Sequence, residues 1–126
     1  MQKLIRSFLL LVAFIATSVF AAPASFDQAA FDALQKDGKA TLVMIHADWC
    51  PTCKAQTPIL SELLGSPEYK SLNALRVDFD KQKDAVKNFK ATMQSTLIVF
   101  KGGKEVGRSM GDTKKDSIAD LLKKAI

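Results

Sequence analysis

Cysteine and histidine are scarce in this sequence. Its 126 residues include two cysteines, Cys50 and Cys53, and one histidine, His46. A structural zinc site wants four nitrogen or sulfur ligands. One chain does not readily close such a site from these residues, whereas two chains sharing sulfurs would. Covalent haem attachment needs a histidine directly after the second cysteine, and Lys54 stands there instead. Charge of one sign is also modest: the formal net charge is +5, spread over lysines that fall mostly on expected helix faces. That balance argues against a nucleic-acid or anionic-lipid partner. The longest apolar run, Phe8 to Phe20, is short for a membrane span of about 20 residues. Asp78, Asp80 and Asp84 are spaced like calcium ligands, but the rest of the loop pattern and its bidentate glutamate are missing. No metal is therefore assigned.

The two cysteines lie together in Trp49-Cys50-Pro51-Thr52-Cys53. An apolar run, Thr41 to Ile45, leads into them, and an amphipathic stretch from Lys54 to Leu64 follows. A strand passing into a helix through Cys-x-x-Cys sets the first sulfur at the helix N-terminus. There, free N–H groups and the helix dipole favour a thiolate. The thiolate attacks in thiol–disulfide exchange, and the second cysteine is near enough to resolve the mixed disulfide. As a mere staple, the pair would close so short a loop that it contributes only about 2 kcal/mol. Redox chemistry is the expectation. A non-catalytic module that uses the pair to bind metal or an iron–sulfur cluster is the alternative.

The N-terminus has the layout of an export signal. Lys3 and Arg6 form a basic region, Phe8 to Phe20 an apolar one, and Ala21-Ala22-Pro23-Ala24 a small-residue cleavage zone. Cleavage is expected after Ala21 or Ala24, with a retained N-terminal anchor as the alternative. Removing residues 1–21 lowers the formal charge from +5 to +3 and leaves one small domain, 25–126 in its folded part. The expected location is periplasmic or secreted. In an oxidising compartment a vicinal pair rests as a disulfide unless a partner supplies or removes electrons, so a redox partner is implied.

The pattern of elements predicts an α/β domain. Ser25 to Gln28 has capping-box spacing and opens a helix running to Lys36, closed by Asp37-Gly38. Thr41 to Ile45 is apolar without alternation, as in a central strand covered on both faces. The Cys-x-x-Cys helix contains Pro58, expected to kink it, and ends at Gly65-Ser66-Pro67. Leu75 to Phe79 reads as a strand and Lys81 to Lys90 as a helix capped by Asp80, with Ala85, Val86 and Phe89 inward. Thr96 to Lys101 is a strand, and Gly102-Gly103 turns it into a second one from Lys104 to Ser109. Thr113 caps a last helix whose stripe is Ile118, Leu121, Leu122 and Ile126. Helices should cover both faces of a mixed sheet with an antiparallel hairpin at one edge.

Ala47-Asp48-Trp49-Cys50-Pro51-Thr52-Cys53-Lys54, Pro58, Val77 to Asp80, Thr96 to Gly103 and Gly111 together resemble the thioredoxin family over essentially the whole chain after the leader. The Cys-Pro-Thr-Cys centre is also similar to that of exported reductases serving cytochrome c maturation. The resemblance implies a thioredoxin-like fold and a thiol–disulfide oxidoreductase without bound cofactor, a monomer acting on protein thiols and disulfides. It implies Cys50 as exposed nucleophile and Cys53 as buried resolving thiol. Trp49, Pro51, Thr52, Gln94, Ser95 and Thr96 would border the client; Trp49 as plain core is the alternative.

Three positions depart from the family. Thioredoxins carry a cis-proline where this chain has Ser95, with no proline nearby. A cis bond there would cost about 3–4 kcal/mol without the ring, so a trans or strained loop is expected, with the sulfurs less shielded. Met44 replaces a buried aspartate that helps move the proton of the resolving cysteine, leaving His46, Asp48 or water for that task. Arg76 stands where a lysine partner of that acid is frequent. His46 replaces a common tryptophan and titrates near neutrality, either to serve the Cys50 thiolate or simply as a strand-end residue. With no positive charge between the cysteines, the centre is expected to act as a reductant or moderate exchanger rather than a strong oxidant.

Overall fold

The computed structural model describes residues 22–126. The expected signal segment, 1–21, lies outside them. A five-stranded mixed sheet is ordered β1-β3-β2-β4-β5. Its strands are β1 (Ala24–Ser25), β2 (Thr41–His46), β3 (Asn73–Asp78), β4 (Thr96–Lys101) and β5 (Lys104–Met110). Four helices accompany it: α1 (Gln28–Lys36), α2 (Pro51–Leu64), α3 (Lys83–Asn88) and α4 (Lys115–Lys123).

The unbroken apolar run of β2 follows from its central place, parallel to β3 and antiparallel to β4. Successive side chains alternate faces. Leu42 and Met44 join a core with Leu60, Leu63 and Leu64 of α2 and Ile118, Leu121 and Leu122 of α4. Val43 and Ile45 join a second core with Leu75, Val77, Ala85, Val86 and Ile98. There Phe26, Phe31, Phe89 and Phe100 pack edge-on or tilted, with centroids 5.1–6.0 Å apart. Ile118 and Leu122 are wholly buried, and truncating either to alanine costs about 2–5 kcal/mol.

Helix starts are set by neighbours of the residues the sequence suggested. Ser25 does not cap α1. Its backbone is still extended and paired with Arg76 in β3, so the cap moves to Asp27, whose Oδ2 accepts from Ala30 N–H at 2.9 Å. Asp80 does not cap α3 either. Asp78 Oδ1 accepts from the N–H groups of both Asp80 and Lys81 at 2.9 Å, and the resulting turn delays the helix to Lys83. Thr113 does not cap α4 either: Lys114 takes the cap position without a side-chain bond, and Asp112 accepts from Lys114 N–H at 3.0 Å and from the Ser117 hydroxyl.

Other elements fall close to expectation. β3 begins at Asn73 rather than Leu75 because Asn73 N–H already donates to Ala40 O at 2.9 Å. α2 continues through Pro58 to its cap at Gly65. The Gly102-Gly103 turn uses φ of 59° and 76°, which glycine adopts freely. Within the hairpin the pairing slips between Val99 and Phe100, so that Gly107 and Glu105 face them and Val106 is the extra residue. Ile126 is partly exposed rather than buried beneath α4.

Candidate active site at the start of α2

β2 ends at His46, the chain turns through Ala47-Asp48-Trp49, and α2 opens at Pro51 with Cys50 as its N-cap. Pro51 suits the first helical position because the N–H it lacks would have had no partner there. The Cys50 backbone is extended, and its Sγ folds back to accept the Cys53 N–H at 3.1 Å. Cys50 N–H is itself tied to Ala47 O at 3.1 Å. The first sulfur thus lies against the open end of α2, where backbone N–H groups and the helix dipole present positive charge.

Both cysteines are free thiols and both are buried, with Cys50 1% and Cys53 2% exposed. The expectation of an exposed Cys50 is corrected: it packs with Ala47, Cys53 and Phe79. The Cys53 thiol is pushed up to about 11 from an ordinary 9.0. Burial is the main cause, reinforced by its contact with Cys50 and opposed by the amides of Ala47 and Ser95. At neutral pH Cys53 is therefore a proton-bearing thiol beside the other sulfur. A resolving thiol that keeps its proton does not compete as nucleophile before the mixed disulfide forms.

The suggested neighbours divide into two groups. Trp49 lies at the surface, 56% exposed, so it is not core. Its ring meets Phe79 edge-on at 6.5 Å, and its indole N–H donates to Asp80 Oδ2 at 2.7 Å. Pro51 is exposed and Thr52 half-buried on the same turn. Gln94 and Ser95 form the loop entering β4, which Thr96 opens, and the amide of Ser95 acts on the Cys53 thiol.

His46 and Asp48 face elsewhere. They pair with each other at 3.2 Å and line a shallow polar pocket with Pro23, Ser25, Arg76 and Asp78, in which neither cysteine takes part. The carboxyl of Asp78 is held below its usual range, chiefly by the Lys81 amide, with the Asp80 amide and the Lys81 and His46 charges adding to it. Met44 is core, as expected, and its partner across the parallel pair is Arg76.

Ser95 takes φ +61° with a trans peptide bond, a left-handed backbone that non-glycine residues rarely adopt. The strained trans loop expected from the missing proline is present, but the loss of shielding is not. The turn is held by Ser95 N–H donating to Ile45 O at 2.8 Å and by Gly111 N–H donating to Ser95 O at 3.0 Å. Gln56, which the sequence reading passed over, is the third tie. It is buried, and its amide donates to Ser95 O at 3.2 Å and to Asp112 O at 2.9 Å. The available signal was a polar residue one turn after Cys53 on the inward face of an amphipathic helix.

A dithiol at a helix N-terminus, opposite a loop on a mixed sheet with helices on both faces, defines a thiol–disulfide oxidoreductase. The thioredoxin family model matches residues 21–124, and the chain belongs to that family. It is 39% identical over 83 residues to the thioredoxin of Chlamydia trachomatis, an alignment covering 66% of this chain and 79% of that one. With the thioredoxin of Staphylococcus epidermidis it shares 34% identity over 94 residues, 75% of this chain and 88% of the relative. Among solved structures, Trxlp from Edwardsiella tarda superposes with a TM-score of 0.78 at 40% identity, covering 80% of this chain and 98% of that one.

Proposed function

We propose that the protein is an exported oxidoreductase that reduces or exchanges protein disulfides through Cys50 and Cys53. The observation that carries this reading is the hydrogen bond from Cys53 N–H to Cys50 Sγ at 3.1 Å, beside a Cys53 thiol raised to about 11.

The Cys50 thiolate attacks one sulfur of a client disulfide, forming a mixed disulfide and releasing the other sulfur as a client thiolate. Cys53 then gives up its proton and attacks Cys50 Sγ. The Cys50–Cys53 disulfide forms, and the second client sulfur leaves as a thiol. Two electrons pass from the dithiol to the client, and a partner dithiol returns them. Cys53 needs a proton acceptor only in the second step, when the client thiolate just released is itself a base. His46 and Asp48 remain candidates for relaying that proton, through water.

Export rests on the sequence of the leader: Lys3 and Arg6, then the apolar stretch to Phe20, then small residues. Of the two cleavage positions, Ala21 is favoured. A cut after Ala24 would remove half of β1, where Ala24 pairs with Leu75. The processed protein is a periplasmic or secreted monomer supplied with electrons by a redox partner.

A single measurement tests the direction of transfer: the reduction potential of the Cys50/Cys53 pair against glutathione. The uncharged Pro51-Thr52 spacer places it nearer the value of about −270 mV typical of thioredoxin than about −120 mV for a strong oxidant. A value at the oxidant end contradicts the reductant reading.

A further inference from the structure

We propose that Gln56 is the positioning residue that holds the client-facing loop Gln94–Thr96 against the dithiol. The proposal rests on the exchange reading above and deepens it.

Gln56 follows Cys53 by one helical turn and is 4% exposed. A buried carboxamide is costly unless its N–H groups are used. Here Nε2 reaches two carbonyls on different segments. Ser95 O lies at 3.2 Å in the loop before β4, and Asp112 O lies at 2.9 Å just past β5. Gly111 N–H donates to the same Ser95 carbonyl at 3.0 Å. One side chain of the cysteine-bearing helix therefore ties together the two loops at this end of the sheet.

Ser95 makes the tie consequential. At φ +61° it has neither the rigidity of a proline ring nor the freedom of glycine. Such a backbone persists only where its surroundings fix it. On one side Ile45 O accepts its N–H at 2.8 Å, and on the other Gln56 and Gly111 donate to its carbonyl. The Gln56 bond connects the loop to the helix that carries both sulfurs. A carboxylate at position 56 has no N–H to give, and a lysine would bring a positive charge towards Cys53. Glutamine supplies two donors with no charge.

Without the tie, the loop leaves its place over the sulfurs. Docking of a protein disulfide then weakens, while small reagents reach Cys50 more easily. The chemical step, made by the sulfurs themselves, changes little.

The test compares the full protein with Gln56→Leu, which keeps the bulk and removes both donors, and with Gln56→Glu, which keeps the shape and removes them. Three quantities are read: KM and kcat for insulin reduction, the rate of Cys50 alkylation by iodoacetamide, and hydrogen exchange at single amides. For both variants, KM rises about 5-fold or more, as expected for a lost hydrogen bond, and kcat stays within about 2-fold. Alkylation quickens, and the Ser95 and Gly111 amides exchange about 10-fold faster while the Ile118 and Leu122 amides do not. If Gln56→Glu fails to fold, Gln56→Leu decides. Unchanged KM with unchanged Gly111 exchange overturns the proposal. So does a uniform rise in exchange across Ile118 and Leu122, which would make Gln56 a support of the whole core. Should the wild type show no Cys50-dependent turnover, the exchange reading falls separately, and alkylation with amide exchange still judges the tether.

Discussion

The indole N–H of Trp49, the residue before Cys50, donates to Asp80 Oδ2 at 2.7 Å, joining residues 31 positions apart. An exposed aromatic ring is thereby fixed in orientation by a carboxylate on the turn after β3, with Phe79 edge-on beside it. From the sequence Asp80 is expected to cap α3; instead that helix starts at Lys83 without a side-chain cap, after a turn held by Asp78.

Asp80→Ala releases that ring. Trp49 is the sole tryptophan, so the change is read directly as a shift in intrinsic fluorescence. Stability changes by less than about 1 kcal/mol, since the lost bond is exposed. KM for a protein disulfide rises by about 3-fold, because the ring must be ordered on docking. An unchanged emission spectrum contradicts the pinning.

Ser95→Pro, which restores the family's residue, is destabilising in this chain. Proline fixes φ near −65° and has no N–H. Ser95 sits at +61° and donates to Ile45 O. Urea unfolding of the variant shows a loss of about 3 kcal/mol. A neutral or stabilising substitution means that the loop takes the family's backbone path instead.

The Cys53 thiol makes the reduced protein alkali-sensitive. In the unfolded chain the group loses its proton near 9, and in the folded protein near 11. Between these values the folded state binds the extra proton, so stability falls as pH rises. The contribution is complete below about pH 9 and is lost as pH rises through about 11, amounting to about 2–3 kcal/mol. Urea unfolding of the reduced protein across that range, against Cys53→Ser, reads it. Equal pH slopes for the two proteins contradict the raised value.

Met44 and Arg76 are register partners across β2 and β3, and the Arg76 Nε is buried without a hydrogen-bond partner among the described residues. Met44→Asp supplies that partner. Alone it is destabilising, because an ionised carboxylate enters a core position. A double-mutant cycle with Arg76→Leu gives a favourable coupling of about 1–3 kcal/mol. A coupling near zero contradicts the proximity.

The legible parts of the fold are those with redundant signals. β2 and β4 are apolar on both faces because helices cover both, and no other role suits Leu42 to Ile45 or Leu97 to Val99. Cys50 and Cys53 stand out because no other sulfur pair competes with them. Helix starts are hard to read where two suitable side chains lie within a few residues: Asp27 rather than Ser25 caps α1, while Asp78 and Asp112 hold the turns before α3 and α4. The choice there depends on where a strand stops pairing, which is a tertiary fact. The two-residue β1 carries no alternation to read. Gln56 looked like one polar residue of an amphipathic helix, and only the packing of α2 against the β4 and β5 loops reveals what its amide bonds.

The account depends most on Cys50 being the attacking sulfur and Cys53 the resolving one. Cys53→Ala protein, reduced and mixed with a model protein disulfide, tests this directly by mass mapping of the trapped adduct. The account predicts a stable mixed disulfide through Cys50 and none with Cys50→Ala, whose buried Cys53 thiol remains protonated at neutral pH. An adduct through Cys53 in the Cys50→Ala protein at a comparable rate, or none in either, contradicts it.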